Sequence, residues 1–170
     1  MPDTTRIRDY QPSDAEGLVE IFRRSVSEIG CRDYSDDQVR VWLMQGPTAK
    51  RLQDLSADGR VRLVAVDSSD TLLAFADLEA DGHIDLLYCA PEAVGLGVAS
   101  TLYDHLEKRA REQGMKRLYS EASEAARRFF LKKNFVVIHR RDMQIADVDI
   151  HNYAVEKLLL PAIEGNTDRQ

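Results

Sequence analysis

One stretch, residues 83–106, constrains the fold of this chain more than any other. It reads as a strand, a turn that contains two glycines, and an amphipathic helix. The glycines are Gly95 and Gly97, and the helix carries Val98, Leu102 and Leu106 at four-residue spacing. That spacing places the three apolar side chains on one helical face. The stretch therefore predicts a strand-turn-helix unit with its helix packed on a sheet.

A strand that enters a helix through such a turn is suited to binding phosphate. The first amides of a helix lack intrahelical partners, and the aligned peptide dipoles favour an anion there. Glycine in the turn lets a ligand approach these N–H groups, because no side chain intervenes. Glycines also occupy such turns for conformational reasons alone. Phosphate binding and a plain turn therefore both fit the motif.

Length and charge narrow the class of protein. A chain of 170 residues fits one domain, which hides roughly two-thirds of its unfolded surface on folding. We expect that domain to span residues 1–163 and the tail 164–170 to be disordered. With 29 acidic and 23 basic residues the net charge is −6, which argues against a general nucleic-acid surface.

The cysteines and the N-terminal segment exclude other classes. Cys31 and Cys89 have no spacing that suggests a disulfide framework or a zinc site, and we predict no metal. The N-terminal segment lacks a hydrophobic signal region, and no run approaches the ~18 apolar residues of a membrane span. We therefore expect a cytoplasmic protein with no membrane partner.

The first third of the chain reads as a short strand followed by a helical flap. Ile7-Arg8 is the strand, and Ser13-x-x-Glu16 has the capping-box pattern that opens a helix. A second capping box, Ser35-x-x-Gln38, opens another, and residues 48–56 predict a third. These helices should lie together after the first strand.

The middle of the chain changes to a strand-like period. Runs at 61–66, 72–78 and 84–89 predict an antiparallel meander that leads into the glycine turn. The following helix should end at Gly114, and a strand begins at Lys116. Because a strand, a helix and a strand follow in order, this part predicts a right-handed βαβ unit with parallel strands.

The last third supplies one more helix and two strands. Ser123 is a candidate N-cap for a helix that ends near Lys133. Residues 135–138 predict a buried strand, and Ile150 to about Leu159 the strand that closes the sheet. The fold class is therefore α/β with a mixed sheet.

The order of these elements resembles that of a known superfamily. Together with Gly95-x-Gly97 and the segment Ser123-x-x-Ala126-x-x-Phe129-Phe130-x-x-x-Asn134-Phe135, it is similar to the GNAT acetyl-CoA-dependent N-acetyltransferases. The run 119–135 and the ending 151–157 resemble the small bacterial YafP-like branch. The resemblance implies a mostly antiparallel sheet, splayed in the middle, with helices on both faces. It also implies transfer of acetyl to an amine by direct attack.

The resemblance also implies where acetyl-CoA, the cosubstrate, would bind. In the family, amides of the turn hold the pyrophosphate, and the strand before it pairs its backbone with the pantetheine arm. Ser123 falls where many members place an asparagine that contacts the pantetheine; an N-cap alone is the alternative role. The predicted cofactor-binding residues are Leu87, Tyr88, Cys89, Gly95, Leu96, Gly97, Val98, Ala99, Ser100, Ser123 and Phe129.

Two residues depart from the family pattern. Glu92 stands where the phosphate motif has Gln or Arg, and a carboxylate repels pyrophosphate unless it points away or a cation intervenes. Phe130 stands where the family often has a tyrosine acid, and phenylalanine donates no proton. These departures favour an alternative function, a non-catalytic module of the same fold that binds acyl-CoA or a protein partner.

Three residues are the candidates for catalysis. Asp85 lies where several family members place a base carboxylate, and His83 could replace it or relay through water. A solvated carboxylate and an exposed turn histidine are the plain alternatives. Tyr153 is the favoured acid, with Tyr119 or water as substitutes, although packing alone also explains a tyrosine.

Acceptor recognition should come from the helical flap, with Asp33, Tyr34 and Trp42 as candidates. The sequence leaves open which small-molecule or peptide amine is acetylated, and whether the chain forms a homodimer. A basic cluster could attract the nucleotide phosphate of CoA or simply be a solvated face. Its members are Arg127, Arg128, Lys132 and Lys133.

A dinucleotide-binding oxidoreductase is a poorer fit. The turn lacks the third glycine of the Rossmann fingerprint, because Ser100 occupies that position. The strands that precede it also read as an antiparallel meander rather than as parallel strands.

Overall fold

A computed structural model describes residues 4–160, so the predicted disordered tail 164–170 lies outside the described residues. The strands are β1 Arg6–Asp9, β2 Val61–Val66, β3 Leu72–Leu78, β4 Leu87–Cys89, β5 Arg117–Ala122, β6 Val136–Ile145 and β7 Val148–Leu158. The helices are α1 Ala15–Glu28, α2 Asp36–Met44, α3 Ala49–Leu55, α4 Val98–Glu112 and α5 Glu124–Lys132. Across these residues no helix combines the length and the apolar character needed to cross a membrane.

The strands form two antiparallel sheets that meet at a splayed centre. Their orders are β1-β2-β3-β4 and β5-β7-β6. Between β4 and β5 an isolated parallel bridge joins His83 to Tyr119. Helix α4 packs on one face of the first sheet, and α1 packs on the other. The predicted fold class, with a splayed sheet and helices on both faces, is confirmed.

The predicted parallel pairing of the strands around α4 is confined to one bridge, between His83 and Tyr119. Strand β4 has only three residues, because the chain from Ile84 to Leu86 turns away from the ladder. The amide of Ile84 donates to the carbonyl of Tyr119 at 2.8 Å, and that of Leu86 donates to the Asp77 carboxylate at 2.9 Å. A gap therefore opens between β4 and β5, at the splayed centre that the resemblance implies.

Helix caps follow the local sequence at two of the three predicted sites. Ser35 and Gln38 form the predicted capping box of α2, and the Ser123 hydroxyl accepts the amide of Ala126 at the start of α5. The capping box predicted at Ser13 is wrong, because residues 12–14 form a 3₁₀ turn. There Asp14, also bound to Arg8, accepts the Gln11 amide at 2.8 Å.

Strand β6 is exposed where a buried strand was predicted. Phe135, just before it, is buried, but Val136, Val137 and Ile138 are 56%, 37% and 52% exposed. The reason is strand order, since β7 inserts between β5 and β6 and leaves β6 at the edge. A run of apolar residues does not reveal this position.

Candidate active site

The glycine turn before α4 is open to solvent and has a left-handed backbone. Gly95 and Gly97 have φ of +81° and +79°, a region that residues with a side chain rarely adopt. A Cβ built on either would meet no atom within 4 Å, so nothing in the described chain covers the turn. The amides of Val98, Ala99 and Ser100 form the first turn of α4, where no intrahelical acceptor precedes them.

Glu92 is paired with a cation, which removes the objection raised by its charge. Both carboxylate oxygens accept from the Arg24 guanidinium on α1, at 2.6 and 3.1 Å. The hydrogen bond from Arg24 lowers the pKa of Glu92 below its usual value. The turn therefore keeps a nearby guanidinium although the family's Gln or Arg is absent.

One member of the basic cluster reaches α4. The Lys133 ammonium donates to the Ser100 hydroxyl at 2.6 Å and to Asp104 at 2.8 Å. Arg128 instead pairs with Asp33, and Arg127 lies over the Tyr153 ring at 4.9 Å. Lys133 thus adds positive charge beside the first turn of α4.

A cavity of about 350 Å³ lies beside the gap between β4 and β5. Its aromatic walls are Phe22, Tyr34, Trp42, Tyr88 and Phe130, and burial raises the pKa of Tyr88 to about 12. The other lining residues are Gln45, Gly46, Pro47, Asp85, Leu86, Leu87, Ser120, Glu121, Ser123, Ala126, Met143, Ile145, Ile150, His151 and Asn152. The flap thus contributes to the cavity wall.

Some predicted residues lie off this cavity. Of the pantetheine segment, Leu87 and Tyr88 line it, whereas Cys89 packs against the core, and burial raises the pKa of its thiol to about 11. Phe129 also packs against the core, edge-on to Tyr103. Asp33 is held by Arg128 outside the lining.

Two carboxylates at the cavity are each held by a cation. The Asp85 Oδ2 lies 3.2 Å from the guanidinium of Arg60, which is 5% exposed and also binds Asp77 at 3.1 Å. The Glu121 Oε2 lies 2.6 Å from the Nε2 of His83. Within residues 4–160 the second oxygen of each carboxylate makes no hydrogen bond to the protein.

The two carboxylates around His83 favour its protonated form, so this residue is a cation rather than a base. Its Nδ1 lies 2.8 Å from Glu79 and its Nε2 2.6 Å from Glu121, and its ring stacks on Tyr119. The hydrogen bond to Glu121 is the main cause that raises the pKa of His83 to about 9. A ring that is protonated at neutral pH, with both nitrogens bound, takes up no proton, so this geometry disfavours His83 as the base.

The same cluster does not present a free metal site. Glu79, His83 and Asp85 each offer a ligand atom within 4.8 Å of the others. The Arg60 guanidinium already lies 3.2 Å from Asp85 and 3.9 Å from Glu79. A cation is therefore supplied by the protein itself.

Tyr153 belongs to a cluster that sequence reasoning missed. Its hydroxyl donates to the Glu124 Oε1 at 2.7 Å, and this bond raises the pKa of Tyr153. The His151 Nε2 lies 2.7 Å from the same oxygen, and His151, not Tyr153, lines the cavity. Residues 151 and 153 share one strand face, so the alternation could have placed them together, but nothing pointed to Glu124. Tyr119 donates to Asp81 instead.

A family model described as acetyltransferase (GNAT) domain matches residues 31–157, three quarters of the chain. The chain belongs to the GNAT acetyltransferase family. The uncharacterized N-acetyltransferase YafP of Escherichia coli K12 is a GNAT relative, 30% identical over 139 residues, which are 82% of this chain and 86% of YafP.

Solved GNAT structures share the fold. A GCN5-related N-acetyltransferase from Rhodopseudomonas palustris superimposes with a TM-score of 0.83 and 31% identity, over 94% of this chain and 98% of that one. The PaiA N-acetyltransferase from Thermoplasma acidophilum, in complex with coenzyme A, has a TM-score of 0.74 and 20% identity, over 92% and 99%. The predicted GNAT family and its YafP-like branch are confirmed, and the oxidoreductase hypothesis is set aside. Family membership also favours an N-acetyltransferase over a non-catalytic module.

Proposed function

We propose that this chain transfers the acetyl group of acetyl-CoA to an amine, which attacks the thioester carbonyl directly. The observation that carries the proposal is the junction of an open glycine turn with the gap between β4 and β5, beside a 350 Å³ cavity. A cosubstrate with a diphosphate and a long arm fits the turn and the gap. The amine would then occupy the part of the cavity beyond the arm.

The cosubstrate would be held mainly by backbone groups. Amides from Gly95 to Ser100 would meet the pyrophosphate, with Arg24 and Lys133 adding positive charge. The arm would lie along β4, residues 87–89, which lacks a strand partner on the β5 side, and Ser123 lines the cavity there. PaiA binds coenzyme A, and a phosphinothricin acetyltransferase from Sinorhizobium meliloti with 18% identity binds AcCoA. The contacts predicted for Cys89 and Phe129 stay predictions.

The acceptor would be an amine that carries no carboxylate. Asp85 and Glu121 line the cavity with one oxygen each still without a protein partner, and its lining within residues 4–160 contains no Lys or Arg. Such a wall attracts an ammonium and repels an anion. Aromatic walls add a favourable surface for a cation. Diamines and similar cations therefore fit better than amino acids do.

The predicted catalytic roles of Asp85 and Tyr153 stay proposals. Asp85 is paired with Arg60 at 3.2 Å, an arrangement that suits binding of an ammonium at least as well as removal of its proton. Tyr153 keeps its proton at neutral pH, as an acid must, but its hydroxyl is engaged by Glu124. Water in the gap is the other source of a proton for the departing thiolate.

Calorimetry and a thiol-release assay test the function together. We expect saturable binding of acetyl-CoA, and release of CoA thiol that is faster with a diamine than with a monoamine of equal length, and slowest with an amino acid. Absence of acetyl-CoA binding at high micromolar concentration would overturn the transferase proposal. Binding with preferred acetylation of amino acids would overturn only the proposed acceptor class.

Two further predictions concern location and assembly. We propose that the chain acts in the cytoplasm, because acetyl-CoA is available there. The sequence leaves open whether the chain forms a homodimer, and light scattering coupled to gel filtration distinguishes a monomer of 19.3 kDa from a homodimer of twice that mass.

A further inference from the structure

The cluster around Glu124 joins α5, β7 and the segment before α2. One Glu124 oxygen accepts the Nε2–H of His151 and the hydroxyl of Tyr153, both at 2.7 Å. The Tyr34 hydroxyl donates to the backbone carbonyl of His151 at 2.9 Å and accepts the backbone N–H of Glu124 at 3.1 Å. Side chain and main chain thus fix His151 relative to Glu124.

This arrangement sets the tautomer of His151. Burial pushes the pKa of Glu124 upward, but hydrogen bonds from Tyr153 and His151 outweigh it and leave the pKa below its usual value. The ionised carboxylate can only accept, so Nε2 of His151 carries the hydrogen. Nδ1 then presents a lone pair, and it makes no hydrogen bond to the part of the chain that the structure describes.

The residue that carries this lone pair belongs to the wall of the acceptor cavity. His151 lines the cavity, and its side chain is 16% exposed. A histidine whose far nitrogen is bound by a carboxylate is the arrangement that orients a general base. We propose that His151 is the base that removes a proton from the acceptor amine, and that Glu124 is its positioning residue.

The other groups at the cavity are less suited to that role. Asp85 is already paired with the Arg60 guanidinium at 3.2 Å, and the hydrogen bond from His83 lowers the pKa of Glu121, so Glu121 binds a proton weakly. They serve to bind the ammonium, whereas His151 takes its proton.

Other charged groups surround the pair. Arg127 of α5 lies 3.5 Å from the second oxygen of Glu124 and stacks on Tyr153. Asp142 of β6 stands opposite His151 in the ladder and is paired with Arg140 at 2.9 Å. Glu124 remains the carboxylate bonded directly to the imidazole.

The transfer conserves the two protons of the amine and the electron pair of the broken carbon–sulfur bond. The acceptor arrives as an ammonium and loses one proton to Nδ1 of His151. Its nitrogen then bonds to the acetyl carbonyl carbon, the carbon–sulfur bond breaks, and its electron pair leaves with sulfur. The nitrogen loses a second proton as the amide forms. One of the two protons ends on the CoA sulfur, and the other passes to solvent.

The test compares His151→Gln with the natural chain, using the diamine that is acetylated best. Because general base catalysis contributes about 10²–10⁴-fold, we expect kcat to fall about 100-fold, with acetyl-CoA affinity by calorimetry within about twofold. His139→Gln, at an exposed position of neighbouring β6, should leave kcat unchanged. Retention of kcat within about threefold in His151→Gln would overturn the proposal.

Glu124→Gln tests the positioning role through the split between kcat and KM. An imidazole that is no longer held in place should lower kcat and leave KM for the diamine unchanged, whereas a purely structural defect should also change KM or the affinity for acetyl-CoA. An unchanged kcat overturns that role for Glu124. In His151→Ala, added imidazole should restore part of the lost rate, and no restoration in a folded variant counts against the base.

The inference rests on the proposed transferase function, and the two fail differently. If the natural chain binds no acetyl-CoA, the function itself falls. If the natural chain acetylates amines and His151→Gln does so equally well, the function stands and the assignment of the base falls.

Discussion

The glycine turn presents backbone groups to its proposed ligand, whereas the acceptor cavity presents side chains. The turn presents backbone amides between Gly95 and Ser100, so the identity of nearby side chains matters little, and Glu92 is accommodated by Arg24. The cavity presents side chains such as Asp85, Glu121 and His151, which come from separate segments. Backbone recognition tolerates substitution, whereas side-chain recognition does not.

A side chain placed in the turn should have the largest effect on the binding of acetyl-CoA. Gly97→Val forces a β-branched residue into a left-handed backbone, directly before the amides that begin α4. We expect acetyl-CoA affinity to fall about tenfold or more, because each charge-assisted hydrogen bond contributes about 1.5–3 kcal/mol. Calorimetry measures the change.

Gly59→Val is the matched control. Gly59 has φ of +82° and equally open surroundings but lies before β2, away from the turn. Both variants should lose similar stability, about 1–2 kcal/mol, and only Gly97→Val should lose affinity. Equal affinities would contradict phosphate binding at the turn.

Neutralising the cavity carboxylates should have the next largest effect. Asp85→Asn or Glu121→Gln should raise KM for a diamine about tenfold, since a hydrogen bond to a charged group contributes about 1.5–3 kcal/mol. Affinity for acetyl-CoA should not change. Asp58→Asn is the control, because Asp58 also binds Arg60 at 2.9 Å yet lies off the cavity. An unchanged KM in both cavity variants would refute the acceptor class.

His83 tests whether the cavity wall is supported by a partly buried charge. Its pKa of about 9 lies above the ordinary 6.5, so its pairing with Glu79 and Glu121 stabilises the fold fully below pH 6.5 and is lost as pH rises through 9. His83→Gln should cost about 1–2 kcal/mol at pH 6 and less at pH 10. Urea unfolding followed by Trp42 fluorescence measures this, and a cost independent of pH would exclude the ionised pairing.

The smallest effect should come from Glu92, the residue that departs from the family motif. Glu92→Gln removes a negative charge near the turn and releases Arg24, but exposed ion pairs contribute only about 0–1 kcal/mol. We expect acetyl-CoA affinity to rise about twofold to threefold, on the scale of that contribution. Glu20→Gln, which breaks the exposed pair with Arg23, should leave it unchanged. A rise above tenfold would mean that side chains matter at the turn after all.

Local features of this fold could be predicted from sequence because their causes are local. The caps at Ser35 and Ser123 and the left-handed Gly97 depend on neighbours within four residues. The exposure of β6 depends on strand order, which a run of apolar residues does not encode. The pair formed by Arg24 and Glu92 joins residues 68 positions apart.

The residues of the candidate site also divide into those with a local signal in the sequence and those that depend on the packed fold. The glycine turn and Asp85 are predicted from their position in a motif, but the motif does not reveal that Arg60 pairs with Asp85. The sequence does not predict the contact between His151 and Glu124, because this contact depends on how β7 packs against α5. Residue type and spacing identify a backbone site, and only the packed fold identifies a side-chain site.

The paired Glu92 also bears on how distant members of this family are found. A search pattern that demands Gln or Arg three positions before the first glycine would discard this chain. The amides of the turn are carried by every residue type except proline. The spacing of two left-handed glycines ahead of a helix is therefore the more durable signature for collecting such sequences.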